Sequence, residues 1–329
     1  MNTLSFSESL KKSWKGIILF LGSFVTLWWN EGRAVHQQKS LIIVEDQLIK
    51  VDTSNLKSDY SSPVHFAGIT FQKRAMIDPE IDAPLDGIRF RKHVLKAITK
   101  ENSVIWDALD ERTYNTEVKI SKINIGIELI DQLYNFEPLE LPGIKNRFSF
   151  IDSNDVLRHG VFIGKGNYDN PQKGDRVVYY DFIPHGIYSV IGSIKFKRIG
   201  PFETGHYPIA LIEKGNVSPT TMLENAHSSN TFSTWFLRAT GISMMFYSLM
   251  LMFTLLLFIT AGIPILNKIA HWSAKAIAGA FAGIFGSLII GVAWLYYRPM
   301  VAIILFGTTL LIIYIFHRMS IKDVTPRQP

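Results

Sequence analysis

Long uncharged stretches at the two ends of the chain flank a polar central region. Their lengths are 26, 22 and 18 residues near the C-terminus and 14 residues near the N-terminus. They are Gly241–Leu266, Ala276–Tyr297, Pro299–Phe316 and Gly16–Trp29. Because a bilayer core takes roughly 20 apolar helical residues, the pattern predicts four transmembrane helices, one N-terminal and three C-terminal. About 210 polar residues between the first and second helices then form one large extramembrane domain.

The N-terminal run permits two interpretations. Lys11, Lys12 and Lys15 precede it, which is also typical of a cleaved signal peptide. However, Trp-Trp-Asn-Glu-Gly-Arg follows the run, where a cleavage site would need small residues. These flanks favour an uncleaved signal anchor, with the Lys15 side chain extending to the headgroups.

Lys and Arg in the short flanks set the predicted orientation. They are concentrated in the N-terminal tail, the loop between the second and third spans and the C-terminal tail. The rule that cytosolic loops are positively charged then places both termini in the cytosol and the large domain across the membrane. The predicted segments are residues 1–15 (cytosolic tail), 16–29 (first span), 30–239 (periplasmic or lumenal domain), 240–266 (second span), 267–275 (cytosolic loop), 276–297 (third span), 299–316 (fourth span) and 317–329 (cytosolic tail).

The large domain shows β-strand patterns. Tyr114–Ile125, Asp175–Phe182 and Tyr188–Ile199 alternate apolar with polar residues, and we expect the last two to be successive strands of an antiparallel sheet. Ile127–Phe136 is ambiguous between strand and helix, because Ile127, Ile130, Leu133 and Tyr134 fit helical spacing. Ser218 followed by Pro219 predicts the start of a helix. The domain is therefore predicted to be a single α+β unit, rich in β-structure.

Charge is unevenly distributed along the chain. The formal net charge of the whole chain is +6. Residues 1–29 carry +2, residues 240–329 carry +5, and the central region carries −1. The positive charge therefore lies beside the membrane, and no nucleic-acid partner is expected. The chain has no cysteine, which excludes disulfides and thiolate chemistry.

No catalytic motif emerges from the sequence. None of the nine histidines forms a His-x-x-x-His pair. Asp181 and His185 are four residues apart, but Pro184 disfavours the helix that would align them. An acidic stretch, Asp78–Asp86, lacks the Gly and Glu that a calcium loop needs at its sixth and twelfth positions. We therefore expect no catalytic residue, no cofactor and no metal.

The long predicted spans contain no ionisable residue, so ion-coupled transport is not expected. Gly279 and Gly283 form a Gly-x-x-x-Gly pattern, with Gly286 beyond it. Such glycines let helices approach closely. The pattern predicts packing either against neighbouring spans or between two copies of the chain.

Three segments near the predicted membrane boundaries resemble one family. They are Asn30-Glu-Gly-Arg-Ala-Val35, Thr234-Trp-Phe-Leu-Arg-Ala-Thr-Gly241 and Trp294-Leu-Tyr-Tyr-Arg-Pro299. Together with Pro63–Gly68 and Gly174–Tyr179, they make the chain similar to the LUMA family, also called transmembrane protein forty-three. The resemblance implies an N-terminal span, three C-terminal spans and a lumenal or periplasmic domain. It also implies self-association and a role in organising membrane-protein complexes, and it carries no catalytic residues.

Six of the seven tryptophans lie at predicted membrane boundaries, as do three arginines on the outer side. Trp and Tyr favour the interface, and Arg can pair with phosphate. We hypothesise an interfacial belt that docks the domain onto lipid headgroups. In the simpler alternative, each residue anchors its own span. The belt consists of Trp28, Trp29, Arg33, Trp235, Arg238, Trp294, Tyr297 and Arg298.

The expected function is that of a non-enzymatic scaffold for membrane-protein complexes in the cell envelope. Its expected partners are membrane lipids, other membrane proteins and a second copy of itself. Two alternatives stay open: a lipid-binding module with an apolar cavity, and a membrane enzyme with a site near His185 or the acidic stretch. The expected location is a bacterial inner membrane, or the endoplasmic reticulum and inner nuclear membrane of a eukaryote.

Overall fold

The computed structural model divides the chain into a helical unit and a β-rich unit. It describes residues 6–101, 103–141, 143–152, 154–254, 258, 264–304, 307–308 and 311. The helical unit combines residues 1–39 with residues 226–329, and the β-rich unit is the continuous stretch 40–225.

The described residues form the α-helices and β-strands given below, together with a 3-10 helix at Thr53–Asn55 and helical residues at 299–304. The helices are α1 (Phe6–Gln47), α2 (Ile127–Ile130), α3 (Pro219–Met252) and α4 (Pro264–Tyr297). The strands are β1 (Ile49–Lys50), β2 (Val64–Gln72), β3 (Met76–Asp78), β4 (Ala83–Leu85), β5 (Arg89–Lys100), β6 (Ser103–Asn115), β7 (Val118–Ile120), β8 (Ile123–Ile125), β9 (Glu137–Pro138), β10 (Arg147–Ile151), β11 (Leu157–Ile163), β12 (Arg176–Ile183), β13 (Ile187–Lys195), β14 (Arg198–Gly200) and β15 (Leu211–Lys214).

The prediction of four transmembrane helices is wrong for this structure. Within the described residues, one helical segment, Ala274–Tyr297 of α4, is both long and apolar enough to cross a membrane. In α1 the uncharged run Gly16–Trp29 has 14 residues, or about 21 Å at 1.5 Å per residue, against a bilayer core of about 30 Å. The predicted second and fourth spans lie partly outside the described residues, in 255–257, 259–263, 305–306, 309–310 and 312–316.

The predicted β-rich domain is confirmed. A seven-stranded sheet has the order β1-β2-β7-β8-β14-β13-β15, and β2 also pairs with β13. Its inward side chains form a core that includes Val64, Phe66, Ile120, Val190 and Ile194, each at most 1% exposed. Burying these aliphatic and aromatic side chains drives the packing of this sheet.

A second sheet has six strands. Its order is β10-β11-β12-β5-β6, and β9 also pairs with β12. Phe90, Val178 and Tyr180 lie in its core. The long hairpin β5–β6 shifts register between Val94 and Leu95, which leaves Leu109 without a partner as a β-bulge.

Several strand predictions are confirmed, with one correction of pairing. The alternating segments Asp175–Phe182 and Tyr188–Ile199 overlap β12 and β13, whose bounds differ from them by a few residues. However, these strands lie in different sheets rather than pairing with each other. The connecting residue Gly186 is held to β2 instead, because its carbonyl accepts a 2.8 Å hydrogen bond from the Thr70 amide. The second segment also turns at Phe196 and Lys197, both at positive φ, and so is not one straight strand.

The expected helix start at Ser218 and Pro219 is confirmed. The Ser218 hydroxyl accepts a hydrogen bond from the Thr221 amide at 3.1 Å, and α3 begins at Pro219. The segment Ile127–Phe136, for which the sequence left two possibilities, contains the short helix α2 and then irregular structure.

Candidate functional site: a polar junction of three helices

Three helices pack along one another in the helical unit. Leu27 of α1 is fully buried in their core, and a Cβ placed on Gly241 of α3 would lie 2.6 Å from its side chain. Near the start of α1, a Cβ on Gly16 would lie 2.7 Å from the Ser248 carbonyl. Later residues of α1 therefore contact earlier residues of α3, so these two helices are antiparallel. The pairs Phe20–Phe285 and Trp28–Tyr297 show that α1 and α4 are parallel.

Glu31 lies at the centre of a junction between these helices. It is 0% exposed, and its carboxylate accepts hydrogen bonds from Arg238 Nε at 2.6 Å and Nη2 at 2.8 Å. A third bond, of 2.9 Å, comes from Trp294 Nε1. One α1 carboxylate thus binds α3 through a bidentate ion pair and α4 through an indole. Fork-shaped pairs of this kind fix geometry as well as charge.

Neutral polar side chains extend the junction between α1 and α3. The Asn30 amide donates to the Thr234 carbonyl, and the Asn230 amide donates to the Ala34 carbonyl, both at 3.0 Å. All four residues are buried. Arg33 joins the same contact from α1 and donates to Asn230 Oδ1 at 3.2 Å. Polar bonds that cross between helices satisfy groups that would otherwise be buried without partners.

The junction brings together the three segments near the predicted membrane boundaries, out of the five that carry the family resemblance. Asn30–Val35 supplies Glu31, Thr234–Gly241 supplies Arg238, and Trp294–Pro299 supplies Trp294. The segments are far apart in sequence, so their convergence could not be read from spacing. Glu31 and Asn230 were not among the predicted site residues. A single acid directly after an apolar run, together with one arginine in each of the other segments, was the signal that could have identified Glu31.

The predicted belt residues occupy different environments. Arg238 is engaged by Glu31 and also lies 4.7 Å from the centre of the Trp235 ring. Trp28 packs against Tyr297, and Arg298 Nη2 donates to Gln38 Oε1 at 2.9 Å. Trp29 and Trp235 are 56% and 64% exposed. These contacts do not test lipid binding, so the belt stays a prediction.

The predicted glycine face is only partly used in the helical unit. Gly286 packs against Ile242 and Leu27, whereas a Cβ placed on Gly279 or Gly283 would meet no other described element within 4 Å. The buried row on α4 consists instead of Ala274, Ala278, Ala282 and Gly286, spaced four residues apart. Alanine also permits close helix approach, and the Gly-x-x-x-Gly pattern in the sequence does not indicate this row. Self-association through Gly279 and Gly283 stays a prediction.

The acidic stretch of the β-rich unit is folded around a lysine. Lys92 Nζ lies 2.8 Å from Asp78 Oδ2 and 2.7 Å from Glu80 Oε2, and Tyr180 donates to Asp78 at 2.6 Å. Burial disfavours the charge of Lys92, but hydrogen bonds to both carboxylates outweigh that cost and raise its pKa. Lys92 is therefore a protonated structural cation and not a nucleophile. Burial and the Asp78 contact raise the pKa of Tyr180 strongly.

His185 lies beside Thr70 and Asp86. Its Nδ1 is 3.2 Å from the Thr70 hydroxyl, and its Nε2 is 3.3 Å from Asp86 Oδ1 without forming a hydrogen bond. The Thr70 hydroxyl already donates to the Gly186 carbonyl, and Thr70 is 2% exposed. The buried Thr70 hydroxyl is therefore already engaged by the imidazole and by the backbone of Gly186. Burial lowers the pKa of His185. The group holds the turn between β12 and β13.

Asp181 does not face His185. It pairs with His93, 3.1 Å from Nε2, and with Arg158. The other nitrogen of His93 lies 3.6 Å from Glu111, so carboxylates flank both sides of the ring. This chain of charges ties β5, β6, β11 and β12 together.

Cavities in the β-rich unit differ in polarity. One of about 400 Å³ combines Ile125 and Ile130 with the charged Lys73, Glu117 and Arg198. Another, of about 570 Å³, is lined by a set that includes Asp78, Glu80, Lys92 and Arg112. A third, of about 330 Å³, has mostly apolar walls, which include Leu85, Leu139 and Leu141. The lipid-binding alternative required an apolar cavity that opens toward the membrane, and it stays a prediction.

Comparison with known proteins gives a consistent result. A family model described as Transmembrane protein 43 matches residues 86–299. The chain is 25% identical to Transmembrane protein 43 of Pongo abelii over 370 residues, covering 93% of this chain and 90% of the relative. It is 24% identical to the Homo sapiens protein, covering 92% and 89%. It is 22% identical to the Drosophila melanogaster homolog, covering 90% and 93%. No solved structure matches.

These relatives, together with the apolar helix α4 and the helix junction, identify a membrane protein with a large β-rich unit. The chain belongs to the Transmembrane protein 43 family, because the family model covers well over half of it. The resemblance found in the sequence is therefore confirmed. A bacterial host and the side of the membrane that holds the β-rich unit stay predictions.

Proposed function

We propose that this protein is a non-enzymatic organiser of membrane-protein complexes in the cell envelope. The junction around Glu31 is the observation that carries the proposal. It uses three of the five segments that carry the family resemblance, and Arg238 and Trp294 donate three hydrogen bonds to its carboxylate. Such a site is suited to holding three helices in one fixed arrangement. A fixed helical anchor can present a constant surface to other membrane components.

The outer surface of the same helices supports this proposal. Phe232, Trp235 and Phe236 of α3 are 72%, 64% and 61% exposed, and Tyr296 of α4 is 72% exposed. Large apolar and aromatic side chains on a membrane anchor contact either lipid tails or other helices. We propose that this surface, together with the open face at Gly279 and Gly283, receives neighbouring membrane proteins or a second copy of the chain.

Polar clusters of the β-rich unit support a non-enzymatic role. A catalytic acid, base or nucleophile needs a free functional atom within reach of a substrate. Lys92 is held between two carboxylates, Thr70 is buried, and His93 has a carboxylate beside each ring nitrogen. These groups stabilise contacts between strands.

Crosslinking in native membranes tests the organiser. The tagged full-length protein is treated with a membrane-permeable crosslinker, purified, and compared with Glu31→Gln, which breaks the junction. Glu45→Gln removes the same charge from an exposed position and serves as the matched control. We expect one reproducible set of membrane proteins with the wild type and Glu45→Gln, and a depleted set with Glu31→Gln.

Two results would contradict the proposal. Wild-type protein that crosslinks to no membrane protein above the level of an unrelated membrane protein of equal abundance cannot be an organiser. The second result is an identical set of crosslinked membrane proteins from the wild type and from Glu31→Gln, in a sample where the variant's helix junction is shown to be loosened. It would show that the junction does not support partner binding.

A further inference from the structure

Arg33 is a cation without an acidic partner among the described residues. Its guanidinium donates four hydrogen bonds, all to neutral oxygens, at 2.8–3.3 Å. The acceptors are Gln37, Asn230, Asn30 and Thr234. Its Nε is buried and has no hydrogen-bond partner. These contacts fix the position of the side chain but leave its positive charge uncompensated in a half-buried site, which is costly.

Arg298 has the same character. It donates to the neutral Gln38 at 2.9 Å, and it forms no ion pair within the part of the chain that the structure describes. Arg238 differs from both, since Glu31 neutralises it at 2.6 Å. The junction therefore separates the three arginines of the hypothesised belt into one internal ion pair and two uncompensated cations.

The helix register places both cations at one level. α1 and α4 are parallel, and a Cβ on Gly32 would lie 2.7 Å from the Tyr297 ring. Arg33 and Arg298 follow these two residues directly. The apolar segment of α4 ends at Tyr297, so both guanidinium groups lie just beyond its end, where the headgroups of a bilayer begin.

Exposed tryptophans mark the same level. Trp29 is 56% exposed one turn before Arg33, and Trp235 is 64% exposed next to Thr234, an Arg33 partner. Indole rings favour the headgroup region. A phosphate group there would supply the missing negative charge. At Arg298 it could also accept the guanidinium N–H groups that the bond to Gln38 leaves over, whereas the terminal N–H groups of Arg33 are already used within the chain, so Arg33 would attract phosphate through its charge.

We propose that Arg33 and Arg298 are binding positions for the phosphate groups of anionic phospholipids, and that Arg238 is not. This inference is independent of the organiser proposal, since it concerns lipid and not protein partners. It also reduces the number of belt arginines that bind lipid from three to two, because only arginines without a carboxylate partner in the chain are proposed to bind phosphate. An acidic side chain of a protein partner has the same charge, but the level and the exposed indoles favour lipid.

Native mass spectrometry of the full-length protein provides the test. Phosphatidylglycerol and phosphatidylcholine are titrated separately into detergent-purified wild type, Arg33→Gln, Arg298→Gln and Lys39→Gln. Lys39 is exposed on the same helix and controls for diffuse charge attraction. We expect the wild type to prefer phosphatidylglycerol, and each arginine variant to bind it about fivefold more weakly, the effect of one basic residue near an anionic surface. Lys39→Gln should bind like the wild type.

Several outcomes would overturn the inference. Equal binding of both lipids by the wild type would overturn the inference without any variant. The inference is therefore testable even if Arg33→Gln folds poorly. Equal losses for Lys39→Gln would indicate diffuse attraction. Full displacement of phosphatidylglycerol by millimolar inorganic phosphate would indicate a free-anion site. Loss of a co-purifying acidic protein from Arg33→Gln, with lipid binding unchanged, would assign the position to a protein partner.

Discussion

Replacing Glu31 by glutamine should destabilise the helical unit severely. The amide keeps the shape of the side chain but leaves Arg238, which is 11% exposed at its side chain, without a negative partner. Breaking one side of a buried ion pair costs about 3–5 kcal/mol, because the remaining charge stays buried. Arg238→Met alone should cost a similar amount, since the carboxylate is then left with only the Trp294 indole.

The double variant Glu31→Gln, Arg238→Met provides the decisive comparison. Without either charge, the desolvation cost disappears, and we expect the double variant to lie within about 2 kcal/mol of the wild type. The coupling between the two sites should therefore be strongly favourable in a double-mutant cycle. Reversible unfolding of the full-length protein in mixed micelles, followed by tryptophan fluorescence, gives the four free energies. Additive single effects, or a loss below about 1 kcal/mol for Glu31→Gln, would refute the argument.

Three further predictions follow from other contacts. Gly241→Ala should cost about 1–3 kcal/mol, because its new Cβ would meet Leu27. Gly279→Ala would meet no other element in the described part of the chain and should be neutral or slightly stabilising; the thermal midpoints of the two variants check this. Tyr180→Phe should destabilise the β-rich unit by about 1.5–3 kcal/mol through loss of its bond to Asp78, measured as faster hydrogen exchange in β12, and unchanged exchange would contradict it. Burial lowers the pKa of His65 in the folded unit. Below about pH 6.5 the unfolded chain therefore binds a proton that the folded unit does not, and the free energy of unfolding decreases as the pH is lowered. His65→Gln should flatten the decline in melting temperature between pH 7.5 and 5.5, and an unchanged slope would refute this assignment.

The sequence was informative wherever structure depends on neighbouring residues. The uncharged run Ala276–Tyr297 predicted α4 because hydropathy is a local property, and alternation predicted β12 and β13 for the same reason. Assignment of those strands to two sheets depends on Thr70, more than one hundred residues earlier, and no local pattern encodes it. The four-span prediction was wrong because uncharged length was taken as sufficient, although the run in α1 is shorter than a bilayer core.

The candidate site was predictable only in part. Arg33, Arg238, Trp294 and Arg298 were identified as boundary residues from composition and position. Their pairing was not, since 207 residues separate Glu31 from Arg238 and 263 separate it from Trp294. As a result, three arginines that look equivalent in the sequence differ in charge compensation. Only the three-dimensional contacts distinguish them.

The distance of 207 residues between Glu31 and Arg238 in the sequence also imposes an order in time on biogenesis. A ribosome adds about 5–20 residues per second, so roughly 10–40 s pass between the synthesis of Glu31 and that of Arg238. Throughout this interval the first helix carries an acid whose partner does not yet exist. Nascent chains that stop before α3 would keep this defect permanently, and the cell's membrane quality control could recognise them by it.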